Sequence, residues 1–204
     1  MKNTIYCLAL CMLLFSSCTT DELQDTKKEE LLENEHAILN TINRLTNAYG
    51  NQKSNANAKQ SLQDLINDIE TLALQDSVFV SLIDANYVTP LAADIDAIVT
   101  DSDGVLTNLN ISTAVKSYVN TVLNTNTQTA LNTLSQTIQN DVLLTSVEKA
   151  MLLDIIDLQK QNVLGNGIGD DWYKKGIIAY LQGAAQTKAN AVLNTVIIQV
   201  LSQQ

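Results

Sequence analysis

"GIIAYLQGAAQTKANAVLNTVIIQVL" spans residues 176–201 and belongs to the longest patterned segment of the chain, 171–202. Gln182, Gln186, Asn190 and Asn194 recur every four residues and draw one narrow polar stripe. Most other positions are apolar or small. A helix apolar on most of its circumference is buried on those sides. The segment therefore reads as one long C-terminal helix at the centre of a bundle, with the remaining helices packed around it. Gly176, Ala179 and Gly183 would let a neighbouring helix approach closely.

Working outward, almost every other segment is also helical in pattern. One proline and seven glycines interrupt 204 residues, and aromatic residues make up 4%. No run alternates cleanly enough to be a strand. Leu31, Ile38, Ile42, Leu45 and Tyr49 follow helical spacing, stopped by Gly50 and the polar stretch 50–58. Leu62, Leu65, Ile66, Ile69 and Leu72 mark a second helix, and Asp76-Ser77 can cap a short third one. Thr89-Pro90 predicts a helix start, with Thr89 as N-cap and Pro90 at the first helical position. "DSDG" (101–104) is expected to end that helix. Asn110 or Ser112 opens the next, "NTNTQT" (124–129) breaks the pattern, and Leu131, Leu134 and Ile138 resume it. "TSVE" (145–148) is a capping box. The fold class is all-α: a single bundle of about seven or eight helices over 31–204.

Composition narrows the function. The length suits one sizeable domain. Apolar residues are 46% and charged residues 17%, the latter below the usual ~25%. Net charge is −10. Arg44 is the single arginine, and the only lysine pairs are Lys27-Lys28 and Lys174-Lys175. Nucleic acid is therefore excluded as a partner, because phosphate binding needs clustered basic residues. Docking to an anionic membrane surface is disfavoured for the same reason.

All three cysteines lie early: Cys7, Cys11 and Cys18. Lys2 supplies a positive start, and Ile5 to Phe15 is an apolar run of signal-peptide length, too short to span a membrane. Ser16 and Ser17 precede Cys18. These residues resemble a bacterial lipobox, in which small residues precede a cysteine that is lipidated and becomes the mature N-terminus. Phe15 stands where that pattern usually has leucine. The resemblance covers about a tenth of the chain. It implies a diacylglycerol thioether and an N-acyl chain, commonly palmitate, on Cys18; more than one acyl chain is what stable anchoring requires. Thr19, not Asp, follows the cysteine, so the familiar inner-membrane retention signal is absent. Asp21 and Glu22 resemble the surface-export signal of Bacteroidota-type lipoproteins. The expected organisation is a signal peptide over 1–17, an acidic tether over 18–30 and a helical domain over 31–204. The expected location is the outer membrane, lipid-anchored and facing outward.

Catalytic and metal-binding constellations are sparse. Glu33-x-x-His36 has the ligand spacing of di-iron bundles, but His36 is the single histidine and the second pair such sites need is missing. A Ser-His-Asp triad would depend on the same residue. Asp101-Ser-Asp103-Gly104 resembles part of a calcium loop, yet Val99 and Asn110 stand where its first and last ligands belong. No metal site and no cofactor other than the lipid on Cys18 is expected. Asp154 and Asp157 lie one turn apart, with nothing marking them as buried. "GNGIGDDWYKKG" (165–176) is the most distinctive stretch. Asp170 or Asp171 suits an N-cap, and Trp172 and Tyr173 either close one end of the core or form an aromatic contact for a protein partner. Asp170, Asp171, Trp172 and Tyr173 are the candidate partner-binding residues. The chain thus reads as a non-enzymatic surface lipoprotein with a helical binding or structural module. The alternatives are a periplasm-facing inhibitor or immunity-type lipoprotein, and a membrane-active protein whose last helix inserts.

Overall fold

Among the described residues ten α-helices carry most of the 37–204 region, and no strand occurs. The structure, a computed structural model, describes residues 37–52, 60–166 and 170–204. The signal region, Cys18, the tether, His36, most of the 50–58 stretch and residues 167–169 lie outside the described residues. The helices are α1 (37–52), α2 (Leu62–Ala73), α3 (Ser77–Leu82), α4 (Ala92–Thr100), α5 (Ser102–Asn108), α6 (Thr113–Leu123), α7 (Gln128–Asn140), α8 (Ser146–Gln161), α9 (Asp170–Ala184) and α10 (Lys188–Leu201). A π-helical turn, Asn162–Asn166, follows α8 and contains Gly165 at φ +79°.

Local chemistry sets most of the starts. Asp76 opens α3, its carboxylate accepting from the N–H groups of Val78 and Phe79 at 3.0 Å each. Ser112 opens α6 by accepting from Val115 N–H at 3.2 Å. The Thr145–Glu148 capping box at α8 forms in both directions. Glu148 additionally accepts from the Ser112 hydroxyl at 2.6 Å, so one carboxylate ties two helix starts together. The apolar stripes are buried as their spacing predicts: Ile38, Ile42, Leu45 and Tyr49 on α1, and Leu65, Ile66 and Ile69 on α2.

Three expectations are revised. "DSDG" does not simply end a helix. Asp101 closes α4 and, as N-cap, accepts from Gly104 N–H at 3.0 Å to open α5. A Cβ at 104 would fall 2.1 Å from the Asp101 carboxylate, so any larger residue would have to swing that capping side chain aside. Thr89-Pro90 does not cap α4. The chain stays extended through Leu91, and the Thr89 hydroxyl donates instead to Glu70 Oε1 at 2.7 Å.

The third revision concerns the centre. The segment 171–202 is two helices, which with the split at Asp101 raises the number above seven or eight. α9 ends at Ala184, the chain turns over 185–187, and Thr187 starts α10 with an extended backbone and a hydroxyl that accepts from Asn190 N–H at 3.0 Å. A continuous 32-residue rod would be about 48 Å long and outrun a domain of this size. Folding back lets each half bury its apolar face on the other. The crossing is close at Gly183, where a Cβ would lie 2.4 Å from the backbone of Asn190 and Ala191. Gly176 has no such neighbour.

The hairpin is nonetheless the centre of the bundle. Ala189 to Ile198 are all buried, polar side chains included. α10 packs on α2, α3 and α4, and α9 packs on α4, α5 and α8. α6 and α7 lie against α8 and complete the far side. α1 joins α10 through Thr46 Oγ1, which donates to Gln199 Oε1 at 2.8 Å. Among the described residues no helix is long and apolar enough to cross a membrane.

Candidate binding cleft

The connection between α3 and α4, residues 83–91, turns at Ala85-Asn86, closed by Tyr87 N–H donating to the Asp84 carbonyl oxygen at 3.1 Å, and then runs without helix to Leu91 beside the α9–α10 hairpin. Its path is fixed from both directions. Tyr87 and Thr89 both donate to Glu70 Oε1 on α2, at 2.6 and 2.7 Å. Asn190 Nδ2 on α10 donates to the Val88 carbonyl oxygen at 2.6 Å. The Tyr87 ring meets Phe79 edge to face with centroids 6.1 Å apart. Burial, reinforced by the bond to Glu70, pushes the Tyr87 phenol well above its ordinary range, so it remains a donor.

Between this connection and the hairpin lies a cleft of about 550 Å³. Asn86, Val88, Thr89, Pro90 and Leu91 line one side. Gln182, Ala185, Gln186 and Asn194 line the other, with Asp94 from the first turn of α4. Val88 and Leu91 are 60% and 62% exposed and form an aliphatic rim. Asn194, on the hairpin side, is buried. Two amide oxygens here, Gln182 Oε1 and Asn194 Oδ1, are buried without a hydrogen-bond partner. A smaller hollow of about 390 Å³ adjoins it between α4 and α5, lined by Thr100, Asp101, Asn108 and again Gln182. Among the described residues, Asp94 is the only ionisable one lining the main cleft, and Asp101 the only one lining its neighbour.

The polar stripe visible in the sequence thus lines the cleft and ties down its wall. Gln182, Gln186 and Asn194 contribute side chains to the cleft, and Asn190 anchors its wall. Their four-residue period was the signal that could locate one side. Nothing periodic marks 83–91 as the other.

The candidate partner-binding residues lie elsewhere, at the start of α9. Asp170 is the first residue of that helix, with its side chain outside the described positions. Asp171 pairs with Lys175 at 2.6 Å. Lys175 Nζ also sits 4.8 Å from the centre of the Trp172 ring, a cation–π contact. Trp172 and Tyr173 are half-buried and pack against the core. The Tyr173 hydroxyl is buried without a partner, and that burial pushes its phenol well above the ordinary range.

Several other carboxylates are engaged structurally. Asp154 accepts from Tyr180 Oη, Asp157 pairs with Lys160 at 2.9 Å and Asp103 pairs with Lys174 at 2.6 Å. No group of three or more metal-ligating side chains occurs among the described residues. No family model, curated protein or solved structure matches this chain.

Proposed function

We propose that this chain is a lipid-anchored, non-enzymatic binding module on the outer membrane, facing outward. The observation that carries the anchor is Cys18, placed directly after an apolar run and two serines and shortly before Asp21 and Glu22. With no other cysteine left after removal of residues 1–17, its thiol has no internal disulfide partner. The acidic stretch that follows sets the helical domain off from the membrane. The cleft beside the α9–α10 hairpin gives such a module a place to bind, and the structural engagement of Asp76, Asp154, Asp157 and Glu148 supports a role without catalysis.

Replacing the thiol tests the anchor. Cys18→Ser should abolish incorporation of labelled palmitate and shift the domain from the membrane to the soluble fraction. A Cys18→Ser chain that stays with the membrane would overturn the proposal. Protease added to intact cells should degrade the lipidated domain; protection until the outer membrane is ruptured would refute outward display.

A second reading is a periplasm-facing inhibitor or immunity-type module that engages a basic protein. The net charge of −10 favours it. Its complex should weaken steeply with added salt, since exposed charges are screened over about 8 Å at physiological ionic strength. A salt-insensitive complex counts against this reading.

A further inference from the structure

We propose that the cleft between 83–91 and the α9–α10 hairpin binds a primary ammonium group carried on an aliphatic chain. This deepens the binding role proposed above and rests on it.

Six polar side chains line the cleft, each with an acceptor oxygen: Asn86, Thr89, Asp94, Gln182, Gln186 and Asn194. Asn194 is 4% exposed, and its Oδ1, like Gln182 Oε1, has no donor. A buried acceptor without a donor is destabilising, so a ligand that supplies one gains from relieving it. An ammonium offers three donors and no acceptor, which matches this demand. A carboxylate or phosphate would bring only more acceptors.

Charge selects in the same direction. Among the described residues Asp94 is the single ionisable group in the lining, and Asp101 lines the adjoining hollow. The chain as a whole is acidic, which raises the local concentration of cations and repels anions. The rim then specifies what carries the charge. Val88, Pro90 and Leu91 are aliphatic, and no aromatic ring lines the cleft among the described residues. An alkyl stem can lie along such a rim, while a sugar or base finds no ring to stack on. The volume exceeds what one ammonium needs and suits a short chain. The wall is held in advance by Glu70 and Asn190, so little ordering is required on binding.

Two sources present this chemistry: a free diamine or polyamine, and a lysine side chain of a protein partner. Calorimetric titration of the full chain in detergent separates them, using 1,5-diaminopentane in one arm and a capped lysine, Nα-acetyl-lysine methylamide, in the other. At least one should bind, and the Nε-acetylated form of the capped lysine should not. Asp94→Asn should weaken binding at least about tenfold, as loss of a charge-assisted bond does. Asp64→Asn, on the exposed face of α2, should leave it unchanged. The proposal is overturned if neither amine binds below about 5 mM, if the acetylated lysine binds equally well, or if Asp94→Asn has no effect. Asp94→Asn preserves side-chain size, and an unchanged urea midpoint would confirm that it folds. Failure of these titrations would leave the membrane anchor, tested by palmitate labelling, unaffected.

Discussion

Asn190 Nδ2 donates to the carbonyl oxygen of Val88 across 2.6 Å, joining the central helix to a segment 102 positions earlier. The same amide accepts from Thr187 Oγ1 at 2.8 Å, while Thr187 Oγ1 accepts from Asn190 N–H at 3.0 Å. One side chain therefore completes the cap of α10 and holds the cleft wall. Asn190→Ala removes the donor to Val88 and the acceptor for a buried hydroxyl. The expected loss is about 1–3 kcal/mol, the range for orphaned buried polar groups. Urea unfolding should show a lower midpoint at an unchanged slope. An unchanged midpoint would show that the bond contributes nothing.

Gly183 and Gly176 should respond to alanine with opposite signs. A methyl at 183 meets the Asn190 and Ala191 backbone at 2.4 Å, and backbone cannot swing aside. Gly183→Ala must push α9 and α10 apart, costing about 1–3 kcal/mol or more. A methyl at 176 meets nothing within 4 Å. Gly176→Ala should stabilise α9 by up to about 1 kcal/mol through helix propensity alone. Thermal unfolding of the two variants decides this; equal shifts would mean the hairpin crossing is not tight.

The helices and their buried faces were legible because both follow from local spacing. Asp76, Ser112 and the Thr145–Glu148 pair cap the helices they were expected to cap, since capping is chemistry within three residues. The break at 185–187 was not legible. Ala185 and Gln186 contain no breaker, and Thr187 is followed by Asn190 instead of the Glu or Gln of a capping box. The reversal depends on Gly183 meeting the Asn190 backbone, a contact that exists only after folding. Thr89-Pro90 misled for a related reason: the Thr89 hydroxyl is taken by Glu70, nineteen residues away. One side of the cleft could be located from the Gln182–Asn194 stripe. The other depends on how 83–91 is tied to Glu70 and Asn190, and no spacing along the chain records that.

Arg44 and Asp76 should make stability depend on acid. Arg44 donates to Asp76 from Nε at 2.5 Å and Nη2 at 2.8 Å. This bond, with the N–H groups of Phe79 and Val78, outweighs burial and holds the Asp76 carboxyl below its usual range. A carboxyl whose folded pKa lies below its unfolded value of about 3.9 stabilises fully above that pH. The contribution disappears as pH falls through the lower folded value. Arg44 is nearly half exposed, so the ion pair contributes less than about 1 kcal/mol. Asp76→Asn keeps a cap oxygen but loses the pair. Its urea midpoint should be slightly lower at pH 7 and should fall less steeply than that of the parent below about pH 4. Parallel pH profiles would refute the assignment.

At the alkaline end, tyrosines should dominate. Burial pushes the phenols of Tyr87, Tyr173 and Tyr180 upward, helped at Tyr87 by Glu70 and at Tyr180 by Asp154. In the unfolded chain they ionise near pH 10. Above that pH the unfolded state sheds protons that the folded state retains, so stability is intact below about 10 and declines above it. Each such tyrosine contributes a slope of about 1.4 kcal/mol per pH unit. Tyr173→Phe and Tyr180→Phe separate this effect from hydrogen bonding. The Tyr173 hydroxyl is buried without a partner, so its removal should be neutral or stabilising at pH 7 by up to about 1 kcal/mol. The Tyr180 hydroxyl donates to Asp154, so its removal should cost about 1–3 kcal/mol there. Both variants should show a shallower decline above pH 10 than the parent. Absorbance at 295 nm, an ordinary measure of phenolate, should show these rings ionising only as the chain unfolds. Full titration near pH 10 in a still-folded protein would mean that the rings are open to solvent, contrary to the packing of α9 against α8.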